Sequence, residues 1–574
     1  MYTLYRALTG LLIGILIAIL LNIFVGLIGD AQTTAASLGG PVWITAAAIL
    51  IGVAYALLFE PLPNNSFENI STGLVLGLVL WFVWAISLQP VVMGAGNNWN
   101  VADAVSKVPQ LIMYLIQGGL IGFIYGVVFQ RLGRPLNLYI PAKQPVKVTK
   151  RVAVIGGGYA GVEAAQALEK ELKNHPEIGI YLISQTNYLI HTPMLSEVSS
   201  SAVNAQNISP PLRSFFDRVR VVQGEVSDID LENKELTLFQ KSQSKGKKLR
   251  FDHLVMTTGS VPNYFGNADI EQQALPFKTL GDAIYLRNQV IEMFERADVE
   301  PDPAKKKQLL TFVVAGGGFA GVELLGGLND FARGITFYYP NVDPADVRTV
   351  LVHSRDRILP ELSEELGEFA REKLAERGVE FQLNVRVTGA RPGAVLVGDD
   401  EIPSYTFVWT AGNKPGPVMS KLGIELTKRG QIEVDAQLRS AANPSLWAAG
   451  DCAQVPDLIT GGFAPPTAQH ASREGKVVGY NVAAAILNKP LKNFEFETLG
   501  SLAALGHQLA VAEVFGRRFS GFLAWLLWRG IYLSKLPTLQ KQVRVLLDWI
   551  LDVFFPPDIV QTIDIAQIDS SEVA

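Results

Sequence analysis

Glycines 156, 158 and 161 lie in RVAVIGGGYAGVEAAQAL, and 160 residues later glycines 316, 318 and 321 lie in TFVVAGGGFAGVELLGGL. This Gly-x-Gly-x-x-Gly spacing suits a diphosphate. The first glycine permits a tight turn, the second lets backbone approach a pyrophosphate, and the third lets the following helix close on the strand. The helix N-terminus then offers unpaired N–H groups and a positive dipole end to the phosphates. One such turn is a weak signal. Two, each between an apolar β-rich run and an Ala/Leu-rich helical run, imply two dinucleotides. Hydride transfer asks for that pair, because a nicotinamide donor and a flavin acceptor must each be anchored with reacting atoms about 3–3.5 Å apart.

Other residues carry chemistry around these turns. Glu163 and Glu323 each follow the third glycine by two positions, where a carboxylate suits the helix dipole. The strand RTVLV after the second turn ends in His353, Ser354 and Arg355. An NADH site usually has a carboxylate there for the ribose 2′-OH; Arg355 instead suits a 2′-phosphate, so NADPH is expected to be accepted. The matching strand after the first turn, IYLIS, ends in Ser184, again without a carboxylate.

The elements that must hold these groups follow from composition. The 574 residues call for several domains, and the formal net charge of -5 argues against a nucleic-acid partner. Cys452 is the single cysteine, which excludes a disulfide framework, a Cys-rich metal site and a redox thiol pair within one chain; no metal is expected. The mean hydropathy of +0.23 is high for a soluble protein, and its source is local. Of 103 charged residues only Arg6, Asp30, Glu60, Glu68, Asp103 and Lys107 fall in the first 130 positions. Four apolar runs, at 7–29, 42–60, 72–93 and 109–130, each approach the ~20 residues a helix needs to cross a bilayer. A signal peptide would explain only the first.

Small residues four apart recur in these runs, at Gly10/Gly14, Ala48/Gly52, Gly73/Gly77 and Gly118/Gly122/Gly126, a spacing that lets helices pack closely in lipid. No run has an ionisable residue near its middle, so a four-helix anchor is expected rather than a proton path. Arg131, Arg134, Lys143, Lys147, Lys150 and Arg151 follow the fourth run. Basic flanks stay in the cytoplasm, so the soluble part is expected on the cytoplasmic face of a prokaryotic plasma membrane or a thylakoid.

Downstream, FVWTAG (407–412), LWAAGDCA (446–453) and FDHLVMTTGSVPNYFG (251–266) resemble the two-dinucleotide-binding flavoprotein reductases. That resemblance implies FAD in the first cradle, with contacts from Thr258, Gly259, Gly450 and Asp451, and NAD(P)H in the second. It sharpens to the type II NADH dehydrogenases, single-chain NAD(P)H:quinone oxidoreductases, over roughly 150–574. NYLIHTPMLSEV (187–198) is similar to the family's flavin-side loop, implying FAD contacts from Thr192 and Pro193 and leaving the role of His191 open. KTLGDAIYLRNQVIEMFERA (278–297) is similar to its interdomain helix. PPTAQHASREGK (465–476) is similar to its quinone-side motif, implying a catalytic Gln469; Arg473 stands where the family often has a second glutamine. Glu323 would lie near nicotinamide and quinone, handling protons or orienting substrate, whereas Glu163 and His470 are expected to be structural.

GFLAWLLWRGIYLSKL (521–536) resembles the family's membrane-contacting segment. Phe522, Trp525, Leu526, Trp528 and Tyr532, between Arg517, Arg518, Arg529 and Lys535, suit an interfacial helix with basic rims; a core helix closing the soluble part is the other reading. VRVLLDWILDVFFPP (543–557) is a more acidic second segment.

The expected fold is thus α/β: a transmembrane bundle (1–130), a cytoplasmic linker (131–150) and a first FAD part (151–300). A NAD(P)H domain (301–420), a second FAD part (421–490) and a C-terminal membrane-contacting helical region (491–574) complete it. The acceptor implied is a lipid-dissolved quinone of ubiquinone, menaquinone or plastoquinone type, because electrons leave without thiols or metal. A homodimer is compatible. A membrane-tethered redox sensor and a reductase serving a protein carrier are the competing functions.

Overall fold

The computed structural model describes residues 2–28, 40–59, 66–88, 105–132, 147–240 and 246–561. Most of the linker expected at 131–150, with Arg134 and Lys143, lies outside these, as does the chain beyond 561. The chain divides into two compact units, 1–145 and 146–574.

Among the described residues, the first unit holds four helices long and apolar enough to cross a membrane: α1 (Tyr2–Ile28), α2 (Gly40–Leu58), α3 (Ser66–Leu80) and α4 (Val108–Leu132), with α3 running on as a π-helical stretch, Trp81–Leu88. They pack as two close pairs. A Cβ on Gly10 or Gly14 would collide with the backbone of Gly52 or Ala48 on α2, and one on Gly73 or Gly77 with that of Gly118 or Tyr114 on α4. The sequence spacing anticipates these contacts, since bare backbone is what lets apolar helices approach without a hydrophobic drive. Lys107 closes the π stretch, its Nζ donating to Ala85 O at 2.8 Å. One polar group was not anticipated: Gln117, fully buried, donates from Nε2 to Ile44 O at 2.9 Å.

In the second unit the chain builds two parallel sheets. In order, their strands are β1 (Lys150–Ile155), β2 (Ile178–Ser184), β3 (Arg220–Gln223), β4 (His253–Met256), β5 (Leu275–Pro276), β6 (Thr311–Ala315), β7 (Arg348–Val352), β8 (Val379–Gln382), β9 (Thr406–Trp409) and β10 (Leu446–Ala448). One sheet runs β10-β4-β1-β2-β3 and the other β8-β7-β6-β9-β5. The late strand β10 joins the first sheet, so that domain is split by the second, as expected. The run 151–155 is buried on both faces from Val152 to Ile155, as a central parallel strand must be. One difference appears: the expected boundary at 301 falls too late, because β5 is the edge strand of the second sheet.

Each Gly-x-Gly-x-x-Gly turn joins a central strand to a helix: β1 to α5 (Tyr159–Glu171) and β6 to the long helix Phe319–Ile335. Between the two lie α6 (Leu195–Ser199) and α7 (Leu280–Val299); the helix after β6 is α8. A Thr279/Asp282 capping box starts α7. After the second sheet come α9 (Ala468–Ile486) and an antiparallel sheet of β11 (Gly500–Ala504), β12 (Ala510–Val514) and β13 (Arg517–Ser520). Two last helices follow, α10 (Gly521–Lys535) and α11 (Leu539–Phe554).

The C-terminal helices correct one expectation. The aromatic run of α10 is not a single interfacial cluster: Trp525 and Trp528 are buried in the core shared with α8, whereas Phe522, Leu523 and Leu526 are exposed. Arg529 is no basic rim. Its guanidinium lies between the rings of Trp525 (4.0 Å to centroid) and Trp549 (4.6 Å), in the cation–π geometry that steadies a buried charge. On α11, Val545 and Trp549 face inward while Leu546, Leu547, Ile550, Leu551 and Phe554 are exposed. Each helix therefore closes the core with one face and leaves an apolar face outside.

Candidate active site

Both cradles have the geometry their spacing requires. Gly156 and Gly316 sit at φ +113° and +120°, in the region that favours glycine. A Cβ on Gly161 would overlap Gly156 O and Thr257 Oγ1, and one on Gly321 would overlap Gly316 O and Thr410 Oγ1, so only glycine lets helix and strand meet. A Cβ on Gly158 would meet nothing within 4 Å. Neither α5 nor α8 has a side-chain cap at Gly158 or Gly318, so their first-turn N–H groups face the open side, as an anion cradle needs.

The first cradle is completed from distant segments. Gly259, with φ +65°, borders open space. Asp451 follows β10 and accepts from Ser260 Oγ at 2.5 Å, with Lys278 Nζ 3.5 Å away. The Gly450 N–H donates to Glu474 Oε2 at 2.6 Å. Glu474, on α9, was not singled out by the sequence; burial, with Asp451 nearby, raises its pKa to about 7. Thr258 Oγ1 lies 3.7 Å from Met419 Sδ. Thr192, exposed, and Pro193 form a short turn after His191. This arrangement fits a long, pyrophosphate-bridged group such as FAD: an open glycine turn, a helix end, and an aspartate at the edge of the crossing chain.

Around the second cradle, His353 Nδ1 accepts from Gly317 N–H at 3.0 Å and packs where a Cβ of Gly317 would lie. Ser354 and Arg355 are exposed just beyond β7. The Arg355 carbonyl accepts from Asn384 N, which fixes its backbone and leaves the side chain at the surface.

A chain of side-chain contacts links the cradles. Tyr159, next to Gly158, meets His191 Nδ1 at 2.8 Å. The His191 ring lies 6.0 Å from that of Tyr532, and Tyr532 lies 4.8 Å from Trp528. Trp528 Nε1 donates to Glu323 Oε1 at 3.1 Å, and Glu323 is two residues past Gly321. Burial lowers the His191 pKa to about 4, with Lys535 adding to the effect, so the imidazole is neutral near pH 7.

Glu323 and Gln469 do not touch, yet one strand holds both. The Ala504 N–H donates to Glu323 Oε1 at 3.1 Å, and Gln469 Nε2 donates to Gly500 O at 2.8 Å. Those are the ends of β11, ~13 Å apart at a strand's rise per residue. Half-buried Glu323 is surrounded by protein, and this desolvation raises its pKa to about 8, with the Glu197 carboxylate adding to the rise. It is therefore largely protonated at pH 7. Glu163 is 3.7 Å from Lys476, and His470 is buried against Phe496 with Nδ1 2.8 Å from Thr467 Oγ1. Arg473 Nη1 donates to Gln469 O, and its guanidinium lies over Phe496. Cys452 is buried and its thiol is pushed up to about 11 by desolvation, far from a reactive thiolate. Among the described residues no cluster of metal-binding side chains occurs.

Comparison with known proteins places this geometry. The family described as pyridine nucleotide-disulphide oxidoreductase matches residues 150–475, and the NDH2 C-terminal domain matches 499–557. The chain is 30% identical over 413 residues to the type II NADH:quinone oxidoreductase NdhA of Mycobacterium tuberculosis, covering 70% of this chain and 86% of the relative. It is 29% identical over 413 residues to the demethylphylloquinone reductase NdbB of Synechocystis sp., covering 70% and 95% respectively. Among solved structures, NDH2 from Plasmodium falciparum in complex with NADH shares the fold, with a TM-score of 0.66 at 18% identity over 72% of this chain and 99% of that one.

Proposed function

This chain belongs to the pyridine nucleotide-disulphide oxidoreductase family, among its type II NADH dehydrogenases with FAD and NADH as cofactors, and from that premise we propose that it oxidises NAD(P)H with a membrane quinone. What carries the reading is the contact chain Tyr159–His191–Tyr532–Trp528–Glu323, which joins the two dinucleotide cradles through one aromatic wall.

In this reading the first cradle holds FAD through Gly156, Gly158, Gly161, Thr192, Pro193, Thr258, Gly259, Gly450 and Asp451. The second holds the nicotinamide dinucleotide through Gly316, Gly318, Gly321, Ser354 and Arg355. Bound FAD supplies a hydride acceptor that gives up its electrons as a pair. The chain's own residues do the rest. Glu474 fixes the Gly450–Asp451 turn by accepting the Gly450 N–H. Gln469, held by Gly500 O, offers its amide to a quinone carbonyl. Glu323, protonated at neutral pH, supplies a proton at its carboxyl. The buried Trp528 closes that side of the site to bulk water.

The net reaction is NADH + H⁺ + quinone → NAD⁺ + quinol. A lipid-soluble acceptor fits the exposed apolar faces of α10 and α11 and the four apolar helices of the first unit. The catalytic unit works on the cytoplasmic side, in keeping with the basic residues after the fourth helix, and moves no protons across the membrane, in keeping with spans that lack a central ionisable group. Purified protein should turn over many times per flavin with NADH and a soluble quinone analogue, without an added protein carrier. A single turnover followed by arrest would sink this reading.

A further inference from the structure

A cavity of about 260 Å³ opens beside Glu323, between α6, α8, the loop after β11, α10 and α11. Its charged and titratable lining is Glu197, Glu323, Asp330, His507, Arg529 and Asp552. Three carboxylates besides Glu323 offer partners to ordered waters, and its size admits several. Side-chain exposure grades outward, from 13% at Glu197 and 17% at Asp552 to 29% at Asp330 and 41% at His507.

The groups are connected. Arg529 Nη2 lies 3.9 Å from both Glu197 Oε1 and Asp552 Oδ2, and His507 Nδ1 lies 3.8 Å from Asp552 Oδ2. The backbone N–H of His507 donates to Asp330 Oδ2 at 2.6 Å, and Arg377 Nη1 to the same oxygen at 3.1 Å. Trp549 Nε1 donates to Glu197 Oε2 at 2.9 Å, fixing that carboxylate beside Arg529.

We propose that this cavity is a proton-loading chamber: it brings the one solvent proton consumed per turnover to the Glu323 carboxyl, with Glu197 as inner relay and Asp330, His507 and Asp552 on the solvent side. This rests on the quinone-reducing reading above. NADH delivers two electrons and one proton as hydride, and quinol needs two protons, so the second must come from water. The aromatic wall closes Glu323 on one side, and the cavity reaches it on another. Of the titratable and charged groups around Glu323, Glu197 from α6 and Tyr532 from α10 interact with it directly, and Asp330 from α8 itself, His507 from the loop after β11, Arg529 from α10 and Asp552 from α11 share its cavity; β11 presents its Ala504 N–H. Burial also raises the Glu197 pKa, to about 7, where it can take and give a proton near neutrality.

The test compares the holoenzyme with Glu197→Gln, which removes the relay, and Ala202→Leu, which fills the cavity from its wall without touching a titratable group. In anaerobic stopped flow, flavin reduction by NADH should stay at the wild-type rate in both. Reoxidation by a quinone analogue should slow about a hundredfold, the lower end of what a positioned proton donor contributes, with a larger solvent deuterium isotope effect. Added formate should restore Glu197→Gln but not Ala202→Leu. In the resting enzyme, the infrared carboxyl band that Glu323→Gln abolishes should titrate at lower pH in Glu197→Gln, because a neighbouring negative charge is gone. Wild-type reoxidation and an unchanged isotope effect in both variants would overturn the chamber. Failure of the wild type to be reoxidised by quinone would instead overturn the function on which it rests.

Discussion

In the turn after β7, where Arg357 donates from Nη2 to Pro360 O, replacing Arg355 by alanine removes the exposed positive charge that favours a phosphorylated ribose over its charge-neutral counterpart. The side chain is exposed and its backbone is held by Asn384, so the substitution should leave the fold unchanged. A charge-assisted hydrogen bond is worth about 1.5–3 kcal/mol, and exposure places this one at the low end. At about 1.4 kcal/mol per factor of ten, Arg355→Ala should lower kcat/KM for NADPH about tenfold and leave that for NADH nearly unchanged. Arg355→Glu adds a repulsion of similar size, for a swing of about a hundredfold in the NADPH/NADH ratio. Both effects should shrink as salt is raised, since an exposed pair is screened within about 10 Å at 0.1 M. The assay is initial-rate kinetics with each nucleotide and a soluble quinone analogue. An unchanged ratio in Arg355→Ala, or a wild-type preference for NADH above tenfold, would refute the role given to Arg355.

Three further outcomes follow from the site. Glu323→Gln should slow quinone reduction while sparing flavin reduction by NADH. The folded-state pKa of Glu323, about 8, lies above its ordinary 4.5, so its stability contribution is complete below pH 4.5 and lost as pH rises through 8; wild-type Tm should therefore fall relative to Glu323→Gln across that interval. Gly161→Val should drive a side chain into Gly156 O and Thr257 Oγ1, at a cost of about 1–3 kcal/mol or more, and yield protein depleted of flavin by absorbance; full flavin occupancy would contradict the close approach. Thiol alkylation should leave activity intact, because Cys452 is buried with its pKa near 11; rapid stoichiometric labelling of native enzyme would show that burial to be wrong.

The cradles were legible in the sequence because their logic is local: a turn, a close approach and a helix start fall within six residues, each demanding glycine. The helix pairs of the first unit were legible for a similar reason, small residues at a fixed interval. The chamber was not. Glu197, Asp330, His507 and Asp552 come from segments up to 355 positions apart, and no spacing rule joins them. Composition also misread α10: Trp528 and Arg529 look like an amphipathic rim when counted, but their direction depends on which face α11 covers. The boundary at 301 failed because the edge strand Leu275–Pro276 is two residues long, too short for any periodicity. Gln117 is hidden within an apolar run, and its backbone partner on a neighbouring helix is visible only in three dimensions.

The most direct test mixes the purified, flavin-loaded protein anaerobically with NADH and then with a quinone analogue, following flavin absorbance. Bleaching by one equivalent of NADH and full return of colour as one equivalent of quinol forms are the expected results. Protein that stays colourless in excess FAD, or flavin that bleaches and is not recoloured by quinone, would contradict it.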